Sequence, residues 1–101
     1  MQYKTNKLKA IEKQRKSILT ENLSKCYLCY MHADDMHEIY AGSNRRTSML
    51  NDFCVPLCRT HHRLVQTNKM YGDILKRECQ AKFEETHSRQ EFLNIIGKNY
   101  L

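Results

Sequence analysis

The sequence contains few of the residues from which a large hydrophobic core is built. It has no tryptophan, one proline and three glycines, and 41% of its 101 residues are hydrophobic. A chain of this length forms one small domain, and domains of this size often depend on a disulfide or a metal ion for stability. We therefore expect a single domain over residues 1–101, with a modest core and a cross-link of this kind.

Long apolar segments are also missing. No run approaches the roughly 20 apolar residues that a transmembrane helix needs, so no membrane partner is expected. The first twenty residues are rich in lysine and arginine and lack the apolar region of a signal peptide. These features predict a cytoplasmic protein. Thiols stay reduced in that compartment, so the five cysteines favour a metal site over disulfide bonds.

Two pairs of candidate metal ligands share the same spacing. Cys26 and Cys29 are separated by two residues, as are Cys58 and His61, and His62 follows directly. Two thiolates at this spacing can bind one ion from a tight turn, and a second pair can complete a tetrahedron. We predict that Cys26, Cys29, Cys58 and His61 hold a structural zinc ion, with His62 as the alternative fourth ligand. The competing interpretation is a set of reduced, partly buried cysteines without a metal.

Basic residues outnumber acidic ones, by 17 to 11, which gives a formal net charge of +6. Lysine and arginine bind nucleic-acid phosphates by displacing counterions, so the excess predicts an anionic partner such as a nucleic acid. Part of it precedes Cys26, where a solvated helix face is the alternative interpretation. Another part lies within or beside the predicted metal segment, at Arg45, Arg46, Arg59, Arg63 and Lys69.

Apolar periodicity and turn residues predict an α+β chain in three parts. Residues 1–25 form a basic N-terminal helix, 26–66 the metal-binding core, and 67–101 a C-terminal helical pair. In order, the predicted elements of the first two parts are a helix over 7–22, a strand over 35–41, a turn over 42–44, a strand over 53–57 and a helix over 58–66.

Capping residues predict the limits of the two C-terminal helices. Asp73 is expected to cap a helix that runs to about residue 85. Ser88 and Glu91 have the spacing of a capping box, and Gly97 stands where a helix-terminating glycine belongs. Two further cysteines, Cys54 and Cys79, are predicted to be core residues.

The segment as a whole resembles the HNH endonuclease family, and specifically its small phage-type members with a zinc knuckle. The similarity lies in Cys26-x-x-Cys29, in His37 within MHEIYAGSNRR, and in the run VPLCRTHHRLV. It covers about residues 24–66, and the C-terminal GKNYL is more loosely similar. The resemblance implies a small zinc-stapled ββα-metal core, treble-clef-like, with flanking N-terminal and C-terminal helices.

The resemblance also implies an activity, namely hydrolysis of DNA phosphodiester bonds with one divalent ion such as Mg, Mn or Ni. His37 then matches the general base and His62 the metal-binding residue of the helix, and imidazole titrates near neutrality as such a base must. Either Asn44 or Asn51 corresponds to the middle asparagine. The residues expected to bind the DNA backbone are Arg45, Arg46, Arg59 and Arg63.

Two positions depart from the family pattern. Met36 stands where the family usually has a metal-binding Asp or His, and Gln66 stands where some members have a further ligand. Strand alternation puts Asp35 and His37 on one face and Glu38 on the other, so Asp35 is the preferred replacement ligand. The departures leave two other functions open: a nucleic-acid-binding module without catalysis, and a protein-interaction adaptor with an architectural zinc. Monomers and dimers are both compatible with these features.

Overall fold

Two short antiparallel strands lie at the centre of the chain. The computed structural model describes residues 6–101; the first five residues of the predicted basic segment lie outside this range. Strand β1 spans Asp35–Glu38 and strand β2 spans Cys54–Leu57, and they pair with His37 opposite Val55. One further bond, from the Ile39 N–H to the Phe53 carbonyl at 2.9 Å, extends the pairing before the chain turns at Gly42.

Five α-helices surround the two strands, so the described part of the chain is an α+β domain. None of these helices is long and apolar enough to cross a membrane. A short 3-10 helix, Gly42–Asn44, precedes the second α-helix. The helices are α1 (Asn6–Lys13), α2 (Arg45–Leu50), α3 (Arg59–Thr67), α4 (Lys69–Phe83) and α5 (Arg89–Ile96).

The predicted N-terminal helix is too long. Helix α1 ends at Lys13, and residues 14–25 contain no α-helix. Three side chains in this stretch accept hydrogen bonds from nearby backbone N–H groups: Ser17 from Leu19, Thr20 from Asn22, and Asn22 from Ser24. Such local bonds give the backbone an alternative to the helical pattern. The helix therefore stops, and the chain crosses to β2 through a bridge between Ser17 and Phe53.

Helix α2 was not predicted. It occupies six residues of the connection between the strands, and it buries Ser48 and Met49. The Ser48 hydroxyl donates to the Tyr40 carbonyl at 2.7 Å and accepts from the Tyr40 N–H at 3.2 Å. These two bonds attach α2 to the chain just after β1. The sequence does contain one indication of this helix: residues 45–50 include no glycine or proline and lie between two asparagines, Asn44 and Asn51.

Helix α4 begins only two residues after the end of α3. The predicted start of α4 at Asp73 is therefore wrong. The helix begins at Lys69, where the Asn68 side chain accepts from the Met70 N–H at 3.0 Å. Asp73 instead pairs with Lys69 one turn earlier. The α-carbon of Gly72 lies so close to α3 that an added Cβ would sit 2.9 Å from the Val65 carbonyl oxygen.

The capping signals of α5 are confirmed. The Ser88 hydroxyl accepts from the Glu91 N–H at 3.1 Å, and the Glu91 carboxylate accepts from the Ser88 N–H at 3.2 Å. Gly97 follows the helix with φ +89°, in the left-handed region that favours glycine.

Aromatic rings form the centre of the core, between the sheet and the C-terminal helices. Tyr40 contacts Phe53 and Phe92 with ring centroids 5.6 and 5.5 Å apart, and Phe53 contacts Phe83 at 5.5 Å. The prediction that Cys54 and Cys79 are core residues is confirmed, since both are fully buried. Edge-to-face contacts of this kind stabilise a core beyond the area that they bury.

Candidate functional site

Three sulfur atoms and one imidazole nitrogen converge at the start of α3. The ligand atoms of Cys26, Cys29, Cys58 and His61 all lie within 4.8 Å of one another. The Cys29 and Cys58 sulfurs are 3.8 Å apart, and the His61 Nδ1 is 3.2 Å from the Cys58 sulfur and 3.9 Å from that of Cys26. Tetrahedral zinc places two thiolates about 3.8 Å apart. The group can therefore hold a metal ion such as zinc.

Local backbone geometry presents these ligands. A tight turn carries Cys26 and Cys29, closed by the Tyr30 N–H donating to the Cys26 carbonyl at 2.8 Å, with Tyr30 at φ +61°. Cys58 is the N-cap of α3, and its sulfur accepts from the His61 N–H at 3.4 Å. The turn and the helix start are joined because the Tyr27 N–H donates to the Pro56 carbonyl in β2 at 2.8 Å.

The pKa values of two thiols in this group, Cys26 and Cys29, are shifted in opposite directions. Burial raises the pKa of Cys26, but backbone N–H groups of Cys58, Cys29 and Leu28 outweigh it, so the net pKa is lowered. The Met31 N–H favours the thiolate of Cys29, but burial and the neighbouring Cys26 and Cys58 outweigh it, so the pKa of Cys29 is raised. Like charges in one site disfavour full ionisation, and a cation among the sulfurs removes that conflict.

The second histidine of the pair, His62, is turned away from the sulfurs. Its Nδ1 lies 3.1 Å from the Asp35 Oδ2, and its ring centroid lies 5.2 Å from that of His37. His61, not His62, therefore completes the Cys3His group. Asp35 and His37 both contact His62, so they lie on one face of β1, as strand alternation predicts.

The two imidazoles open onto one cleft. His37 from β1 and His62 from α3 line a cavity of 390 Å³, and the other side chains that reach it include Gln66 and Lys76. His62 also borders a second cavity of 510 Å³, on whose wall Asp35 and Met36 lie. His62 thus stands between the two spaces, with a carboxylate on one side and the other imidazole on the opposite side.

The pKa values of the two acid–base groups of β1 are both lowered, but for different reasons. Burial, with a further contribution from His62, lowers the pKa of His37 to about 4, well below the value near neutrality that the sequence led us to expect for this imidazole. The hydrogen bond with His62 and the charge of Arg59 lower the pKa of Asp35. Near neutral pH, His37 is therefore an uncharged imidazole that can accept a proton, and Asp35 is an anion.

The four arginines predicted to bind DNA differ in their surroundings. Arg45 is engaged by carboxylates: its guanidinium lies 3.4 Å from Glu12 and 3.1 Å from Glu38. Glu38 also pairs with Arg15 at 3.1 Å, so it is committed to ion pairs on the face of β1 opposite to His37. The remaining three, Arg46, Arg59 and Arg63, are exposed.

Arg59 contacts Asp35, the carboxylate that pairs with His62. Its side chain is 70% exposed and approaches the Asp35 Oδ1 at 3.6 Å. Its backbone N–H donates to the Asp34 Oδ2 at 2.8 Å, at the first turn of α3. A phosphate held by Arg59 would therefore lie beside Asp35 and His62.

Both candidate asparagines have structural hydrogen bonds. The Asn44 amide donates to the Ile96 carbonyl at 3.1 Å, which links the loop after β1 to the end of α5. The Asn51 amide donates to the Thr47 carbonyl at 2.9 Å at the end of α2. Each one stabilises the connection between β1 and β2, and the assignment of one of them as the middle asparagine stays a prediction.

One residue of the cleft was missed. Lys76 belongs to α4, in the C-terminal region that was expected to contribute only packing. It is one of 17 lysines and arginines, and no local sequence signal distinguishes it from the others.

No protein family model, curated protein or solved structure significantly matches this chain. A functional assignment therefore depends on the geometry of the Cys3His group and of the histidine cleft.

Proposed function

We propose that this chain is a metal-dependent endonuclease of the HNH type, which hydrolyses DNA phosphodiester bonds with His37 as the general base. Under this proposal, β1, β2 and α3 form the ββα-metal unit. The structural zinc is held by the Cys3His group, and a second, divalent ion such as Mg, Mn or Ni binds between Asp35 and His62, at the border of the histidine cleft.

The observation that carries the proposal is the convergence of two imidazoles from distant parts of the chain. His37 and His62 are 25 positions apart in sequence, and their ring centroids lie 5.2 Å apart in one cleft. Zinc held by Cys58 and His61 would stabilise the first turn of α3, and with it the position of His62. A closed shell of four protein ligands has a structural role, so the chemistry belongs to the adjacent cleft.

The cleft residues suit the two roles that phosphodiester hydrolysis requires. His37 is uncharged near neutral pH, so its ring is free to take a proton from an attacking water, but a pKa of about 4 makes it a weaker base than an imidazole that titrates near neutrality. Asp35 and His62 would hold the divalent ion, since an oxygen and a nitrogen 3.1 Å apart suit two adjacent ligands of one ion. When bound, such an ion polarises the phosphate and stabilises the leaving oxygen.

Cleavage of plasmid DNA in Mg, Mn or Ni tests the proposal. We expect the parent protein to nick or cut the DNA, and His37→Ala to reduce the rate by about 10²- to 10⁴-fold, because a general base contributes on that scale. His32→Ala is the matched control, since His32 is an exposed histidine outside the cleft. Equal rates for the parent and His37→Ala would remove His37 as the base.

A DNA-binding module without catalysis is the second candidate, and Met36 and Gln66 favour it. Both stand where the HNH family places metal ligands, and a thioether or an amide binds a hard divalent ion poorly in place of a carboxylate or imidazole. This function predicts salt-sensitive DNA binding that His37→Ala leaves unchanged, together with no cleavage in any of the three ions.

A further inference from the structure

The histidine cleft contains a lysine from the C-terminal helices. Lys76 of α4 is half-buried and lines the same 390 Å³ cavity as His37 and His62. Burial and the charge of His62 are the larger causes of the low pKa of His37, the charge of Glu38 opposes them, and the charge of Lys76 is a smaller lowering contribution. The ammonium group therefore acts electrostatically on the imidazole that we assign as the base.

Neighbouring groups hold Lys76 in this position. Its backbone carbonyl accepts a hydrogen bond from the Tyr40 hydroxyl at 2.7 Å, and its Nζ lies 5.6 Å from the centroid of the Tyr100 ring. Tyr100 is in turn fixed by its N–H, which donates to the buried Gln80 side chain at 2.7 Å. The first contact fixes the backbone of α4 at Lys76, and the second places its ammonium group near a ring that Lys98 also approaches, at 5.1 Å.

Lys76 forms no ion pair among the described residues, although its charge contributes to the low pKa of Asp73 and Glu38 also lines the cleft. Two other lysines of α4, Lys69 and Lys82, form ion pairs with Asp73 and Glu85. No carboxylate within residues 6–101 forms such a pair with Lys76. Arg45 borders the same cleft, but its guanidinium contacts Glu12 and Glu38. Lys76 is therefore the cation of the cleft that has charge available for an anionic ligand.

We propose that Lys76 binds a backbone phosphate of DNA in the cleft that His37 and His62 share. The inference rests on the proposed function and names a substrate-binding residue for it. An ammonium group in a partly desolvated cleft attracts a phosphodiester, and it also stabilises the additional negative charge that develops on the phosphate oxygens during attack. Helix α4 then contributes to substrate binding as well as to packing.

The test compares Lys76→Met with Arg77→Met in binding to a short DNA duplex without divalent ions. Each variant removes one positive charge from α4, at adjacent positions, and Arg77 is exposed. We expect Lys76→Met to weaken binding by about tenfold, and to reduce the salt dependence by about one phosphate contact. Arg77→Met should change the Kd by less than about twofold, and Lys76→Arg should restore most of the affinity. Circular dichroism checks that each variant is folded.

The same variants are then assayed for cleavage, which separates the two proposals. If the parent cuts DNA and Lys76→Met behaves like Arg77→Met in both assays, the Lys76 assignment is overturned and the nuclease proposal stands. If the parent binds DNA without cutting it and Lys76→Met alone loses affinity, the assignment stands and the nuclease proposal is overturned. A parent that does not bind DNA overturns both.

Discussion

Adjacent histidines of α3 have different surroundings because successive helical residues point about 100° apart. His61 faces the sulfurs, with its Nδ1 3.2 Å from the Cys58 sulfur, whereas His62 faces Asp35 and His37. One turn of helix thus contributes to both the metal group and the cleft. The sequence predicts His61 as the fourth ligand and leaves His62 as the alternative, since both positions follow Cys58 at a suitable spacing.

The five cysteines divide into two classes with different expected reactivity. Burial raises the pKa of Cys54 and of Cys79 to about 12 in each case. A raised thiol pKa keeps the group protonated, so at pH 8 roughly one molecule in 10⁴ carries the reactive thiolate at either position. We expect both to stay unlabelled by iodoacetamide in the folded protein up to about pH 9, as measured by peptide mass spectrometry.

Unfolding in guanidinium chloride provides the control for this prediction, since all five cysteines should then be labelled. Rapid labelling of Cys54 or Cys79 in a protein that is still folded by circular dichroism would contradict it.

The elements that the sequence predicted best are those whose boundaries are set by local contacts. The capping box of Ser88 and Glu91 and the left-handed Gly97 depend on residues within a few positions, and they were read from the sequence correctly. The end of α1 at Lys13 differs from the prediction. The weak apolar periodicity over residues 7–22 indicates a longer helix, but the side chains of Ser17, Thr20 and Asn22 form local hydrogen bonds that favour turns.

The close approach of α3 and α4 depends on Gly72. Alanine is favoured over glycine in a helix interior by about 1 kcal/mol, but a Cβ here would lie 2.9 Å from the Val65 carbonyl oxygen. Relieving a backbone clash costs about 1–3 kcal/mol, so we expect Gly72→Ala to lower the free energy of unfolding by about 1 kcal/mol. Denaturant unfolding monitored by circular dichroism measures this change.

Ala81→Gly, at an exposed position of the same helix, is the control. It should lower the free energy of unfolding by about 1 kcal/mol through backbone entropy, which shows that the assay detects a change of this size. A Gly72→Ala variant more stable than the parent would show that the two helices are not in tight contact.

The molecule as a whole has a small core, in which the Cys3His group links elements from different parts of the chain. Its radius of gyration is 13.3 Å, about the value for a folded domain of 100 residues. The group joins the turn at Cys26–Cys29 to the first turn of α3. With so few buried apolar residues, a metal at this site should contribute a large share of the total stability.

Loss of the metal is therefore expected to destabilise the whole protein. We expect one zinc per chain in the purified protein, and Cys58→Ser to bind zinc at least about a hundredfold more weakly. The variant, like the parent treated with a chelator, should lose at least about 3 kcal/mol, which lowers the Tm by more than about 10 °C. Elemental analysis and thermal unfolding measure the two effects.

Cys54→Ala is the matched control for this prediction, because Cys54 is a buried cysteine outside the metal group. It should keep one zinc per chain and cost about 1 kcal/mol through lost packing. Unchanged zinc content in Cys58→Ser would exclude Cys58 as a ligand.

The sequence by itself determined the local features: the two ligand pairs at equal spacing, the common face of Asp35 and His37, and the caps of α5. Each of these depends on residues a few positions apart, so backbone geometry alone relates them. Only the tertiary structure decided between His61 and His62 as the partner of the sulfurs, and only it showed that Glu12 and Glu38 engage Arg45 and that Lys76 reaches the histidine cleft. Those distances arise from packing between distant segments, which local sequence patterns do not encode.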